Sequence, residues 1–233
     1  MKSVLITGAG KNFGRELMRV YSKRGWRLFP LVRKDEYIDS LLNEFPSDCY
    51  PIRGDVSTDD VIGAIQADLA KHTDGLDLLI NNAGIIYKNR GISMTTSDEL
   101  TEHFNVHCVG SWRCATAALP FLKKAARPMV VNITSRKGSI GRTPSATGDL
   151  IYAYQIAKAA QNMLSALMYQ ELKDSRIAVF SVHPGNLKTS VAPPDADTDP
   201  YEAAMTLAAW LDEDDYTHVF GCYDIINGTT IEW

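Results

Sequence analysis

The sequence predicts an α/β fold, in which one domain is built on a doubly wound parallel sheet of about seven strands with helices on both faces. Three observations support this prediction. The chain has 233 residues, of which 45% are hydrophobic, enough for the core of one large domain. Short apolar runs alternate with amphipathic helical patterns, which is typical of βαβ units. The chain shows no internal repeat or linker, so we treat residues 1–233 as a single domain.

Six apolar runs mark predicted strands, and a seventh strand is expected just before the stretch GDV at 54–56. The six runs cover residues 4–6, 28–32, 76–80, 129–133, 177–182 and 219–226. In the second run, Pro30 cannot donate a ladder hydrogen bond. We therefore expect the second strand to be short or bulged.

Helical patterns fill the intervals between these runs. In the first interval, Phe13, Leu17, Val20 and Tyr21 recur at helical spacing, and Gly25 ends the pattern. Ser57 and Asp60 resemble a capping box at the start of a later helix. Two long helices are expected over 99–124 and 154–172. Helices between parallel strands must cover both faces of the sheet.

Composition and charge exclude several classes of function. The net charge is −4, from 24 basic and 28 acidic residues, which argues against a nucleic-acid or membrane-surface binder. The four cysteines form no CxxC pair and predict neither a disulfide framework nor a zinc site. The first apolar run is too short for a signal-peptide core, and no stretch reaches transmembrane length. We expect a soluble cytoplasmic protein.

The stretch TGAGKNFG, residues 7–14, follows the first strand and predicts a phosphate-binding loop. Free backbone N–H groups and the positive end of a helix both favour an anion there. Gly8 allows the chain to turn, and Gly14 allows the helix to approach the sheet closely. Asn12 stands where a second glycine would adopt a positive φ, and we predict a positive φ for it. On this stretch alone, the alternative is a plain βα turn in a protein that binds no nucleotide.

Further polar stretches follow the other strands, at the edge where doubly wound sheets bind ligands. They are GDV at 54–56, NNAG at 81–84, Ser135 in NITSRKG and HPGNLKT at 183–189; YQIAK at 154–158 opens a long helix. In this order and approximate spacing the set resembles the short-chain dehydrogenase/reductase family, which has a Rossmann-type fold. The segments YAYQIAKAAQNML and GCYDIINGTTIEW are further similar to its sniffer-like and C-factor-like carbonyl reductases.

The resemblance implies hydride transfer between NADP(H) and a small carbonyl or alcohol substrate, with four catalytic residues. Tyr154 would donate the proton, and Ser135 would hydrogen-bond the substrate oxygen. Lys158, four residues along one helix face, would lower the pKa of the tyrosine and hold the nicotinamide ribose. Asn105 would bind a water that relays protons to Lys158. If Asn105 faces the site, His103 and His107 face away from it, because of the helical spacing. The two histidines have no evident third ligand, so they predict no metal site.

The same resemblance assigns cofactor contacts. Asp55 and Val56 would contact the adenine, residues 82–84 would line the ribose side, and Thr189 would hold the nicotinamide amide. The expected cofactor-binding residues are Gly8, Lys11, Asn12, Phe13, Gly14, Arg33, Asp55, Val56, Asn82, Ala83, Gly84, Tyr154, Lys158, Pro184, Gly185, Leu187 and Thr189.

The end of the second strand favours NADP(H) over NAD(H). Val32 stands where NAD-selective sites of this fold place an acidic residue. Arg33 and Lys11 recur in such places among NADP-using family members, and their charge suits the 2′-phosphate. The alternative is that both are solvated surface cations.

Several alternatives stay open. A non-catalytic dinucleotide sensor could use the same fold, and an interaction protein could use the long helices. The apolar face of the helix after Tyr154 is either core or a subunit interface, and the family resemblance favours a homodimer or homotetramer. The interval from Ser135 to Tyr154 is longer than usual, which enlarges a loop at the substrate mouth. The segment 190–200, rich in proline and acid, is either a lid or a solvated loop.

Overall fold

The computed structural model describes residues 1–87, 91–190, 192, 195–213 and 220–232. Within them lies a central sheet of eight strands in the order β3-β2-β1-β4-β5-β6-β7-β8. The strands are β1 Ser3–Thr7, β2 Arg27–Val32, β3 Ile52–Arg53, β4 Leu78–Asn81, β5 Met129–Ile133, β6 Ala178–His183, β7 Cys222–Asp224 and β8 Thr229–Ile231. The first seven strands in this order pair in parallel with their neighbours, and β8 runs antiparallel to β7. The doubly wound sheet is confirmed, with one strand more than predicted because β8 (TTI) has no apolar run.

The helices of the described residues lie between the strands. They are α1 Asn12–Lys23, α2 Asp35–Glu44, α3 Asp60–His72, α4 Ser97–Phe104, α5 Gly110–Leu122, α6 Tyr152–Leu172 and α7 Pro200–Asp212. A π-helical segment, Asn105–Val109, joins α4 to α5. The three pieces make up the long helix predicted over 99–124, with one wider turn in its middle. Among the described helices, none has the length and apolarity needed to cross a membrane.

The core lies on both faces of the sheet. Val4 and Ile6 of β1 belong to the core cluster that includes the buried side chains of α1 and α7, whereas Leu5 belongs to the cluster under α3, α5 and α6. This alternation is the two-residue period of a strand that is buried on both sides. Helices therefore cover both faces of the sheet, and the carboxyl ends of the parallel strands β1, β4, β5 and β6 lie at one edge.

The expected capping box at Ser57 is wrong. The Ser57 hydroxyl donates to Asp55 Oδ1 at 2.8 Å, and α3 begins at Asp60 without a side-chain cap. A capping box does occur at the start of α4, where Thr96 and Glu99 satisfy each other's backbone N–H groups. Ser57 instead fixes the carboxylate that ends the third strand.

The expectation of a short or bulged second strand is also wrong. β2 has six residues in regular register with β1, with Pro30 opposite Ile6. Leu28 N and Val32 O make their hydrogen bonds on the side of β3, so the alternation of the strand turns the Pro30 nitrogen to that side as well. Because the Pro30 nitrogen faces away from β1, the proline removes no hydrogen bond between β2 and β1. On the other side, β3 has just two residues.

Candidate active site

The β1–α1 loop has the backbone conformation that the sequence predicts. Asn12 has a φ of 50°, as expected, and Gly8 has a φ of 66°. A Cβ on Gly14 would lie 2.3 Å from Gly8 O, and a Cβ on Gly8 would lie 2.9 Å from Ala83 Cα. Neither position can carry a side chain, so the loop presents bare backbone at the N-terminus of α1.

The NNAG stretch holds this loop from the end of β4. Thr7 Oγ1 accepts the backbone N–H groups of Asn82 and Ala83, each at 2.9 Å. The Asn82 side chain donates to Thr7 O at 2.9 Å and to Gly8 O at 3.3 Å. Asn82 therefore shapes the loop, in addition to lying beside it.

The rim of the crevice carries Arg33, Lys11 and Asp55. Arg33 is exposed, and its Nη1 lies 3.5 Å from Asp55 Oδ2. Burial opposes ionisation of Asp55, but hydrogen bonds from Ser57 and the charge of Arg33 outweigh it, so the pKa of Asp55 is lowered. Lys11 is exposed at the start of α1, and Val56 is buried. β2 ends at Val32 without an acidic residue, and the exposed Arg33 follows it.

Tyr154 and Ser135 come together at the centre of this edge. Ser135 ends the segment after β5, and Tyr154 lies in the first turn of α6. Burial raises the pKa of Tyr154, and the hydrogen bond between its hydroxyl and that of Ser135 partly offsets the rise. The turn after Ser135 packs directly on α6, because a Cβ on Gly138 would lie 2.7 Å from Lys158 C.

Lys158 lies beside Tyr154, yet the predicted lowering of the tyrosine pKa is wrong for this arrangement. Lys158 Nζ is 5.7 Å from the centroid of the Tyr154 ring, and it donates to Ile133 O at 2.7 Å and to Gln161 Oε1 at 2.9 Å. Burial lowers the pKa of Lys158 to about 7. A buried lysine that donates to other acceptors does not outweigh the burial of the phenol.

Asn105 lies outside this centre, which corrects the expectation that it faces the site. Its Nδ2 donates to Ser57 O at 2.9 Å, and its Oδ1 accepts from Arg113 Nη1 at 2.7 Å. Asn105 and His107 do point in opposite directions, but His107 is the one that faces the site, against Tyr154. The polar groups that satisfy Asn105 lie towards α3, which explains its direction.

His107 occupies the place expected for Asn105. Its ring lies edge-on to Tyr154, with centroids 5.5 Å apart, and its Nε2 lies 2.8 Å from Ile85 O. A Cβ on Gly84 would lie 2.6 Å from His107 Cε1, so the glycine of NNAG makes room for the imidazole. Burial and the charge of Lys158 hold the pKa of His107 well below its usual value. The residue is therefore a neutral imidazole against the tyrosine ring.

His103 stacks on His107, with centroids 6.0 Å apart. Within the described part of the chain, no group of three or more His, Cys, Asp or Glu residues could hold a metal ion.

Sequence reasoning missed His107 and Gln161. The spacing of Lys158 and Gln161, three residues apart on one helix face, was a visible signal. For His107 the deciding contact is with Gly84, 23 positions earlier in the chain, and the sequence gives no sign of it. Local spacing finds partners on one helix but does not find the neighbour across a crevice.

The remaining predicted residues follow β6. Gly185 has a φ of 97°, Leu187 pairs with Thr198, and Ser190 Oγ accepts from Asn12 Nδ2 at 3.1 Å. Beside them, a cavity of about 80 Å³ is lined by Arg136, His183, Gly185, Asn186, Asp197, Thr198, Asp224, Ile226 and Asn227. In the segment 190–200, predicted to be either a lid or a solvated loop, residues 191, 193 and 194 lie outside the described residues.

Comparison with known proteins agrees with this geometry. Oxidoreductase UcpA of Salmonella typhimurium is 28% identical, over 97% of this chain and 93% of the relative. The C-signal protein of Myxococcus xanthus is 29% identical, over 69% of this chain and 95% of the relative. The structure of the carbonyl reductase Sniffer of D. melanogaster superposes with a TM-score of 0.89 at 28% identity and covers 100% of both chains. The family model described as short chain dehydrogenase matches residues 2–199, and this protein belongs to that family of oxidoreductases.

Proposed function

We propose that this chain is an NADP(H)-dependent reductase that acts on a carbonyl or alcohol substrate, with Tyr154, Ser135 and Lys158 as its catalytic residues. The observation that carries the proposal is the grouping of the Tyr154 and Ser135 hydroxyls with a buried lysine, whose Nζ lies 5.7 Å from the Tyr154 ring centroid, at the ligand edge of the sheet. The structural likeness to a carbonyl reductase supports the same reaction class.

The chain offers a fitting site for the cofactor. The bare backbone around Gly8 and Gly14, at the N-terminus of α1, suits a diphosphate, and a side chain at either glycine would fill that cradle. Arg33 and Lys11 supply positive charge for a 2′-phosphate at the rim. NADP(H), when bound, supplies or accepts the hydride.

Tyr154 handles the proton in this proposal. As the carbonyl oxygen gains negative charge, the phenolic O–H bond breaks and the O–H bond of the alcohol forms, which leaves a phenolate. Ser135 donates a hydrogen bond to the same oxygen and stabilises its charge. The positive charge of Lys158 stabilises the phenolate that remains. The imidazole of His107, which lies edge-on to the Tyr154 ring, limits the tilt of that ring.

A screen of carbonyl compounds tests the proposal. Purified protein is mixed with NADPH and each compound, and the loss of NADPH absorbance is followed, with Tyr154→Phe as the control. We expect turnover with at least one compound, absent in the control. Tight NADPH binding without turnover across aldehydes, ketones and the reverse reaction with alcohols would support the dinucleotide sensor instead.

We also propose that the chain forms a homodimer or homotetramer in the cytoplasm. Met168 of the α6 apolar face is buried in the core, whereas Ile156, Met163 and Leu167 are exposed on the same helix. An exposed apolar strip of this kind favours contact with a second copy. Size-exclusion chromatography with light scattering measures the mass, and a monomer at micromolar concentration would contradict the assembly.

A further inference from the structure

A buried chain of hydrogen bonds runs from Lys158 to the π-helical segment. Lys158 Nζ donates to Gln161 Oε1 at 2.9 Å, Gln161 Nε2 donates to Ser111 Oγ at 2.8 Å, and Ser111 Oγ donates to His107 O at 2.7 Å. Gln161 is 0% exposed and Lys158 is 4% exposed. The chain links α6, which carries Tyr154, to the π-helical segment, whose His107 contacts the Tyr154 ring.

The direction of each bond in this chain is fixed by its neighbours. A lysine ammonium can only donate, so Gln161 must turn its oxygen towards Lys158 and its NH₂ towards Ser111. The Ser111 hydroxyl gives its one proton to His107 O, so it accepts from Gln161. Each group therefore has a matching partner, which favours one conformation of the glutamine.

We propose that Gln161 is a positioning residue that holds Lys158 in its charged form and in its place beside Tyr154. The inference rests on the proposed function, in which the positive charge of Lys158 is needed. A buried ammonium is costly without acceptors. Among the described residues, Lys158 Nζ has two protein acceptors, Ile133 O and Gln161 Oε1, and only the second is a side chain. Of these two, Gln161 is therefore the one that a substitution can remove.

Of the other titratable groups around Lys158, Cys222 raises the pKa of the lysine, but burial raises the pKa of Cys222 itself and keeps its thiol neutral. These groups are Tyr154 on the same helix, His107 on the π-helical segment, His183 at the end of β6 and Cys222 on β7. Burial lowers the pKa of both histidines and raises that of Tyr154 and Cys222, so all four are neutral near pH 7. Burial also lowers the pKa of Lys158 to about 7, where a modest change of environment alters its charge.

Two substitutions at Gln161 should move the titration of Lys158 in opposite directions. Gln161→Leu removes an acceptor that favours the ammonium, so the pKa of Lys158 should fall by about one unit. Gln161→Glu places a carboxylate next to the ammonium, so the pKa should rise by about one unit or more. A residue that only fills space would not produce shifts of opposite sign.

The titration is measured by NMR on protein with ¹³C at lysine Cε, and the Lys158 signal is assigned by its loss in Lys158→Met. The pH profile of kcat provides the second readout. Since the charged lysine is the active form, activity falls as pH rises through its pKa. The falling limb should move to lower pH in Gln161→Leu and to higher pH in Gln161→Glu. Ser181→Ala, in β6, is the matched control, because Ser181 is also buried and its hydroxyl has no hydrogen-bond partner among the described residues; it should shift neither readout.

Ser111→Ala provides an independent variant should Gln161→Glu fail to fold. It releases Gln161 Nε2, so Lys158 should shift in the same direction as in Gln161→Leu, by a smaller amount. Unchanged titration in Gln161→Leu and Ser111→Ala, or shifts of equal sign in both Gln161 variants, would overturn the inference. The NMR titration requires no substrate. If the protein turns over no compound, the proposed function is refuted, but the titration of Lys158 still tests the role of Gln161.

Discussion

The proposed cofactor loop and the proposed catalytic helices are built in different ways. In the loop of residues 7–14, the proposed binding groups belong to the backbone, and the conformations of Gly8 and Asn12 match those inferred from residue type. Around α4, α5 and α6, the proposed groups are side chains, and there Asn105 and His107 lie opposite to expectation. Glycine and asparagine report backbone geometry directly. The rotation of a helix depends on what packs around it, which a short motif does not contain.

The largest expected effect is the loss of turnover in Tyr154→Phe, which should leave cofactor binding by the loop unchanged. Tyr154→Phe removes the proposed proton donor but touches nothing in the loop. We expect turnover to fall on the order of 10²-fold or more, with NADPH affinity unchanged. Stopped-flow turnover and fluorescence titration of NADPH measure the two quantities. Turnover close to wild type in this variant would refute the mechanism.

The second effect is cofactor preference, which belongs to the loop side alone. Arg33→Ala and Lys11→Ala should each reduce kcat/KM with NADPH by roughly 10-fold to 100-fold, and leave NADH nearly unaffected, because a hydrogen bond to a charged group contributes ~1.5–3 kcal/mol. The two losses should not add, since both cations serve one phosphate.

Lys34→Ala is the matched control for these two variants, since Lys34 is an exposed neighbour already paired with Glu36. Higher salt should reduce the preference for NADPH, because the cations lie at the rim. Equal or better use of NADH by the wild type would overturn the prediction.

What could be predicted from the sequence differs between local patterns and contacts that the whole fold creates. The apolar runs predict the parallel strands, but β8 was missed because Thr229 and Thr230 break its apolar pattern. The four-residue spacing of Tyr154 and Lys158 places them on one helix face. Nothing local shows that Lys158 donates to Ile133, a carbonyl 25 positions earlier, or that Gly84 makes room for His107. Contacts across the crevice depend on the whole fold.

The third effect compares two variants on the catalytic side, His107→Leu and Asn105→Ala. His107→Leu keeps volume beside Tyr154 but loses the bond to Ile85 O, so the tyrosine ring is held less precisely, and kcat should fall about 10-fold. Asn105→Ala should leave kcat within about threefold and cost about 1 kcal/mol of unfolding free energy, since it removes bonds to Ser57 and Arg113. Steady-state kinetics and thermal unfolding measure both. If Asn105→Ala has the larger effect on kcat, the assignment of His107 is wrong.

The smallest effect tests the loop at its unusual residue. Asn12 has a positive φ and also donates to Ser190 Oγ at 3.1 Å, so its conformation and its contact can each matter. Asn12→Val places a β-branched side chain in the left-handed region, which costs ~1–2 kcal/mol and should weaken NADPH binding about fivefold or more. Asn12→Gly keeps the conformation and loses only the contact. If conformation dominates, Asn12→Gly binds NADPH within about twofold of wild type, and Ser190→Ala does the same, because an exposed hydrogen bond contributes little. Calorimetric titration of NADPH into the three variants separates the two causes. Losses of NADPH affinity in Asn12→Gly and Ser190→Ala that match each other and are as large as that of Asn12→Val would show that the contact with Ser190 is the reason for an asparagine. In that case the affinity of this loop also depends on a side chain outside the motif.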